Sequence, residues 1–208
     1  MAILAFTAAF GAQPLPAITA MPLWLQVIAI IIIADIGYYI ARRLLHSVPV
    51  LWRFHVVHHS IEEMDWLASH RVHPIEMAFS NSISLLPVFF LGFSLEAVIL
   101  HQVIYQAHTL LLHTNLRLNF GPLKWLLATP EHHHWHHAAE RDSRDHNFAA
   151  QLSILDTIGC TMFMPRNREP VGYGVREKVP EHFHQQLLYP FEKLSEMLRN
   201  RRARKNQP

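Results

Sequence analysis

The sequence predicts an all-α fold, a polytopic membrane helical bundle of about three to four spans with a cytosolic helical cap that carries clustered histidines. Half of the 208 residues are hydrophobic and only 16% are charged, whereas a soluble protein needs a largely polar surface. One apolar stretch is long enough to cross a bilayer, and a longer apolar region is interrupted near its middle. Clusters of histidines follow both regions.

Composition limits the chemistry open to this chain. Histidine occurs 17 times, more often than aspartate and glutamate together, which occur 16 times. The single cysteine, Cys160, cannot form an internal disulfide or supply the thiolates of a zinc finger or an iron–sulfur cluster, so any metal is expected on histidine and carboxylate. The net charge of +2 is too small to indicate nucleic-acid binding, and no nucleic-acid partner is predicted.

The first element is an apolar segment over residues 1–20. It is interrupted by Gly11, Pro14 and Pro16, and it lacks the basic start of a signal peptide. We expect an incomplete first span or a re-entrant segment.

The second element, residues 21–40, is the longest apolar stretch, and its roughly 20 residues match the bilayer core of about 30 Å. Trp24 near one end and Arg42 and Arg43 beyond the other follow the aromatic-belt and positive-flank pattern. A core helix of a soluble protein is the alternative. Asp35 lies inside this span, so it is expected to face the protein interior.

The third element, from Pro74 to Leu112, is too long for one span. It is interrupted near Gly92 and Ser94, which predicts a helical hairpin. Both arms contain polar residues that must pack against protein rather than lipid. These residues are Glu76, Asn81 and Ser84 in the first arm and Glu96, Gln102 and Gln106 in the second.

The histidines are concentrated in two groups, one after the first clear span and one after the hairpin. Each group contains a triad at positions i, i+3 and i+4, which lie on one face of a helix. The triads are His55, His58 and His59, and His133, His136 and His137. Because a hairpin crosses the membrane twice, both groups emerge on the same side, and the basic flank of the first span predicts that this side is cytosolic.

Two identical triads favour a metal site, although a single histidine on a helix is more often structural. Neutral imidazole binds iron, zinc and copper, and a ligand set without thiolate favours iron or zinc.

The chain from Asp35 to Thr161 resembles the fatty acid hydroxylase and sterol desaturase superfamily of membrane di-iron oxygenases. The segment DIGYY leading to His46 resembles the first histidine box, LWRFHVVHHS resembles the second, and RVHP resembles the segment that follows it. The stretch from His113 to the motif EHHHWHH resembles the part of the family that contains an isolated ligand and the last box.

The resemblance implies oxidation of a lipid C–H bond by O2, through hydroxylation or desaturation. It implies two iron ions, with zinc as a substitute in purified protein, and a separate electron donor of ferredoxin or cytochrome b5 type. The implied metal ligands are His46, His55, His58, His59, His113, His133, His136 and His137, with His73 and His108 as further candidates. Asp35, Asp145 and Asp156 are candidates for hydrogen bonds that hold the imidazole tautomers, and no other catalytic residue is predicted.

The resemblance also predicts the domain organisation. Residues 21–165 form the hydroxylase-like membrane domain, and residues 166–208 form a basic cytosolic tail. The tail ends in Arg199, Arg201, Arg202, Arg204 and Lys205. This run suits anionic lipid headgroups, and a solvated helix end is an equal alternative.

Two other functions remain open. Arg42 stands where the family has the first histidine of its His-x-x-x-His box, and an arginine cannot bind a metal. The alternative is therefore a degenerate, non-catalytic member that binds metal or lipid. A zinc-dependent hydrolase would need a glutamate base, for which Glu131 is the candidate, but no His-Glu-x-x-His motif is present.

Overall fold

The structure, a computed structural model, describes residues 15–205, so most of the predicted N-terminal segment lies outside the described residues. The described end of that segment forms a short helix, α1 (Pro16–Thr19). Every regular element between residues 15 and 205 is helical, and one isolated β-bridge joins Ala138 to Tyr173. The all-α prediction is confirmed.

The first predicted span is a single helix, α2 (Leu23–Ser47), and Val48 is its C-cap residue. Val48 has an extended backbone because the proline that follows disfavours the helical conformation. Pro49 then occupies the first position of the next helix, α3 (Pro49–His59), where its missing N–H needs no partner. This break turns the chain directly before the first triad.

The predicted hairpin consists of α4 (Pro74–Leu91) and α5 (Leu95–Leu112). α4 ends at Gly92, which adopts the left-handed conformation with φ 78° that glycine tolerates best. The hydroxyl of Ser94 then accepts a hydrogen bond from the backbone N–H of Ala97 and caps α5.

In the bundle, α2 packs against both arms of the hairpin. Ile30, Val88 and Ala97, one from each helix, are fully or almost fully buried in the shared core. At Gly37 the backbones approach so closely that a Cβ atom would lie 2.6 Å from the Cα of Ser84. The absence of a side chain at this position therefore sets the distance between α2 and α4.

Two described helices, α2 and α4, are long and apolar enough to cross a membrane, whereas the sequence predicted about three to four spans. The outer face of α2 exposes Ile28, Ile32, Ile36 and Ile40, which recur every four residues. Such an exposed apolar stripe suits contact with lipid. The total number of crossings remains a prediction.

The cap is built from the chain that follows α2 and the chain that follows α5. It contains α3, α6 (Pro130–His137), α7 (Ile154–Ile158) and α8 (Phe183–Lys205). α8 packs on α3, where Tyr189 joins a small apolar core. The cap therefore brings together the two segments that contain the histidine triads.

Candidate metal centre

Eight of the ten predicted ligand histidines converge between the bundle and the cap in two groups of four. The first cluster is His46, His55, His59 and His136, and the second cluster is His58, His113, His133 and His137. Within each cluster the candidate ligand atoms lie within 4.8 Å of one another. The clusters are adjacent, since the rings of His59 and His137 stack with centroids 4.6 Å apart.

Each predicted triad is divided between the two clusters. In both helices the residues at i and i+4 stay together, and the residue at i+3 joins the other cluster. The pairs are His55 with His59 in α3 and His133 with His137 in α6, and the exchanged residues are His58 and His136. Along a helix, position i+4 is rotated by about 40° and position i+3 by about 60° in the opposite sense, so one helix supplies two neighbouring sites.

The remaining two ligands come from the ends of bundle helices. His46 lies in the last turn of α2, and His113 is the C-cap residue of α5. Each of them adds one imidazole to the three that α3 and α6 supply to its cluster.

The first cluster has the geometry of a metal site. The Nε2 atoms of His46, His55 and His59 are each 3.1 Å from the other two. The Nδ1 atoms of His46 and His55 donate to carboxylate oxygens of Asp145 at 3.2 Å and Glu76 at 2.6 Å. Nε2 of these two rings is then the lone-pair nitrogen. Nitrogen ligands about 2.1 Å from one ion lie about 3 Å apart, so the donor set fits a bound metal.

The second cluster fits a metal for a related reason. Nε2 of His133 lies 3.0 Å from Nε2 of His113. Both ring nitrogens of His137 are buried without a hydrogen-bond partner among the described residues. Buried polar atoms without a partner are costly, and a metal ion bound by His137 would remove this cost for one of them.

Backbone carbonyls hold several of the rings. They accept hydrogen bonds from Nδ1 and leave Nε2 to face the cluster. The pairs are His58 with Arg71 at 3.2 Å, His113 with Thr109 at 2.8 Å and His136 with His146 at 2.8 Å.

Burial keeps the cluster histidines neutral. Desolvation lowers the pKa of His113 to about 4. Desolvation, together with neighbouring positive charge, also holds the pKa of six further rings well below the usual value. These rings are His55, His58, His59, His133, His136 and His137. Neutral imidazole is the form that binds a metal.

The structure does not bring His73 or His108 to either cluster. Nδ1 of His73 accepts from the backbone N–H of Ile75, and its Nε2 donates to the carbonyl of Leu187. His108 donates from Nε2 to the carbonyl of Ala128 at 2.8 Å. These hydrogen bonds give both rings a structural role.

Two of the three predicted carboxylates contact no cluster histidine. The Asp35 carboxylate accepts from the backbone N–H groups of residues 150–152 and thereby joins α2 to the cap. Asp156 accepts from Nε2 of His132, which lies outside both clusters, and from Thr161. Asp145 alone of the three binds a cluster ring, that of His46.

Glu76 also supports a cluster ring, a role that the sequence did not predict. It was predicted only to pack against protein, and it is 4% exposed, with one carboxylate oxygen on His55. The available signal was an acidic residue in the first turn of an apolar helix, two residues after the His73-Pro74 segment.

Arg42 lies beside the clusters without belonging to either. It is 5% exposed, and its Nη2 donates to the hydroxyl of Tyr38 at 3.1 Å. Its Nε and Nη1 atoms are buried without a partner among the described residues. Each cluster has four histidines without a contribution from position 42.

Residues 27–161 match the profile of a family described as fatty acid hydroxylase. The ornithine lipid hydroxylase OlsE of Rhizobium tropici is 32% identical over 170 residues, which cover 82% of this chain and 51% of that protein. The alkylglycerol monooxygenases of Xenopus tropicalis and Homo sapiens are 36% and 35% identical, over 70% of this chain and 32% of theirs.

The chain thus spans about half the length of the first of these relatives and about a third of the other two. No solved structure matches it significantly.

Proposed function

Because the chain belongs to the fatty acid hydroxylase family, we propose that it is a membrane-bound di-iron oxygenase that hydroxylates or desaturates a lipid C–H bond. The observation that carries this proposal is the pair of adjacent clusters, each with four imidazoles and no thiolate. Such a donor set favours iron or zinc, and two neighbouring sites suit a two-metal centre. His46, His55, His59 and His136 would hold one ion. His58, His113, His133 and His137 would hold the other.

Two iron ions would supply O2 activation at this centre. In hydroxylation, the lipid, O2, two electrons and two protons give the alcohol and one water. In desaturation, the same reactants give the alkene and two waters. The electrons come from a separate one-electron carrier, for which a ferredoxin or a cytochrome b5 type of protein is proposed.

The protein's own residues orient the ligands and exclude water. Glu76 and Asp145 accept hydrogen bonds from the Nδ1–H groups of His55 and His46, which fixes the tautomer that presents Nε2. Seven of the eight cluster histidines are buried, so most of the ligand side chains are removed from water.

The zinc hydrolase has less support. Glu131 binds Lys124 through both carboxylate oxygens at 3.1 and 3.0 Å. A catalytic zinc ion typically has three protein ligands and an open position, whereas each cluster offers four histidines.

We also propose a topology. The protein is multi-pass, the histidine face is cytosolic, residues 21–165 form the hydroxylase-like domain and residues 166–208 form the cytosolic tail. The basic flank of α2, Arg42 and Arg43, and the exposed arginines at the end of α8 support this orientation.

Metal analysis and isotope labelling test the function. Purified full chain in lipid nanodiscs is expected to contain about two irons, with a Mössbauer spectrum of two iron sites. With a reductant, a ferredoxin system and 18O2, a hydroxylated membrane lipid should contain 18O, whereas a desaturated lipid should lack it and show a mass loss of two hydrogens. Fully metallated protein that holds only zinc and oxidises no lipid would contradict the proposal.

A further inference from the structure

Two cavities of very different size lie on the bundle side and on the cap side of the molecule, and the cap-side cavity borders the clusters. The cavity on the bundle side is lined by polar residues such as Tyr38, Ser84 and Tyr105, and its volume of about 20 Å³ holds about one water molecule. The cavity on the cap side has a volume of about 630 Å³ and is lined by four cluster histidines. They are His46, His59, His136 and His137. A ligand group larger than water therefore reaches the clusters from the cap side.

The larger cavity begins at the end of the candidate span α2. Ser47, the last residue of α2, and Pro49, the first residue of α3, both line it. The end of a spanning helix lies at the depth of the lipid headgroups. A lipid headgroup can thus enter this cavity while its acyl chain remains in the bilayer.

The residues that line the cavity carry a net positive charge, because Arg53, Arg144 and Arg176 outnumber the two carboxylates of Asp145 and Glu177. Arg53 is paired with Glu177 at 3.0 Å, and Asp145 is hydrogen-bonded to His46. Arg144 and Arg176 also line the cavity, and neither forms an ion pair with any residue between 15 and 205. Arginine forms its strongest hydrogen bonds with carboxylate and phosphate groups.

We propose that the cap-side cavity binds the anionic headgroup of the lipid substrate, a carboxylate or a phosphate, through Arg144 and Arg176. This assignment rests on the proposed oxygenase function. With the headgroup in the cavity, the carbon atoms nearest to it lie against the first cluster. The oxidised position is therefore close to the headgroup and not in the middle of the acyl chain.

Binding without turnover tests the site independently of the chemistry. The probes are a fatty acid, a lysophosphatidic acid and a monoacylglycerol of the same chain length, bound to metal-loaded full chain in neutral detergent under anaerobic conditions. Wild-type protein is expected to bind at least one anionic probe about fivefold to tenfold more tightly than the uncharged monoacylglycerol. The tighter anionic probe identifies carboxylate or phosphate as the group recognised.

The double variant Arg144→Gln/Arg176→Gln should lose this preference and retain the metal content of the wild type. The matched control is Arg141→Gln/Arg166→Gln, which removes two exposed arginines outside the cavity and should keep the preference. Equal binding of all three probes by the wild type, or an equal loss in the control, would overturn the proposal.

Mapping of the oxidised carbon by mass spectrometry provides a second test. Oxidation within the first few carbons from the headgroup supports the site, and oxidation near the middle of the chain overturns it. A wild type that retains the anion preference but oxidises no lipid would refute the oxygenase function while leaving the binding site intact.

Discussion

The two histidine clusters have the same number of imidazoles but different surroundings. The first cluster is supported by two carboxylates, Glu76 and Asp145, and borders the large cap-side cavity. In the second cluster, His58 and His113 are held by backbone carbonyls, and all four of its members are buried. The same ligand type therefore occurs in one site with two carboxylate partners and three residues on the cavity, and in another with backbone partners and one residue on the cavity.

This difference indicates unequal roles for the two sites. A carboxylate that accepts a hydrogen bond from Nδ1–H makes the imidazole a more basic metal ligand. A metal in the first cluster would therefore receive more electron density from its ligands. Three residues of the first cluster, His46, His59 and His136, line the cavity, whereas the second cluster contributes only His137. We infer that the first cluster faces the substrate and that the second completes the centre from inside.

Removal of a single ligand should have the largest effect. His59→Ala in the first cluster and His133→Ala in the second are each expected to lower iron from about two to about one per chain. Lipid oxidation should fall by more than about 100-fold, because loss of a direct ligand should exceed the effect of losing its hydrogen-bond partner. Iron analysis and product formation measure both. The control is His182→Ala, which changes an exposed histidine outside the clusters. Near-normal activity of His133→Ala would contradict a centre shared by the two clusters.

Neutralising the two carboxylates should weaken metal binding at the first cluster more than at the second. Glu76→Gln and Asp145→Asn are each expected to weaken metal binding at the first cluster by about 10-fold to 100-fold. Glu76→Gln should have the larger effect, because the Glu76 side chain is 5% exposed and that of Asp145 is 72% exposed. Competition with a chelator measures the two affinities, and Asp142→Asn is the control. Equal weakening at both clusters would remove the distinction between them.

Acid should destabilise the metal-free protein. In the unfolded chain each histidine has a pKa near 6.5, whereas burial lowers the pKa of His113 to about 4 and those of His58 and His137 well below 6.5 in the folded protein. The unfolded state thus binds more protons below about pH 6.5, and the stability present above this pH is lost as the pH falls. Thermal unfolding between pH 8 and 5 measures this loss. A constant midpoint over that range would contradict the neutral clusters.

Asp156→Asn should destabilise both clusters together. The Asp156 carboxylate accepts from Nε2 of His132, the hydroxyl of Thr161 and the backbone N–H groups of Phe148 and Ala149. We expect the free energy of unfolding to fall by about 3 kcal/mol, since one partner of a buried network is replaced. Thermal or chemical unfolding measures this change. Selective loss of metal from one cluster at unchanged stability would show instead that Asp156 acts on that cluster.

Arg42→His should have the smallest effect on metal content. Because each cluster has four histidines without position 42, we expect the iron content to stay near two per chain in both the wild type and the variant. Iron analysis of both proteins, grown and purified in parallel, gives the result. An increase from one iron to two in Arg42→His would show that the arginine has removed a ligand, and it would favour the degenerate-member alternative.

Much of the fold was predictable because local sequence controls it. The apolar stretch of α2 and the interruption at Gly92 predict where helices begin and end. The i, i+3, i+4 spacing predicted both triads, and His46 and His113 were recognised from the family resemblance. Asp35, by contrast, was predicted to hold an imidazole and in fact accepts hydrogen bonds from the cap backbone.

The sequence by itself determined the helical class, the apolar segments and the two histidine triads, whereas the structure reduced the ten candidate ligands to eight. Only the tertiary structure decided that each triad is divided between two clusters, that Glu76 supports His55, and that Arg42 is not needed to complete four ligands. The physical reason is that spacing along a helix sets only the direction in which each side chain points. Which partner it meets depends on how distant helices pack, as at the close contact of Gly37 with Ser84.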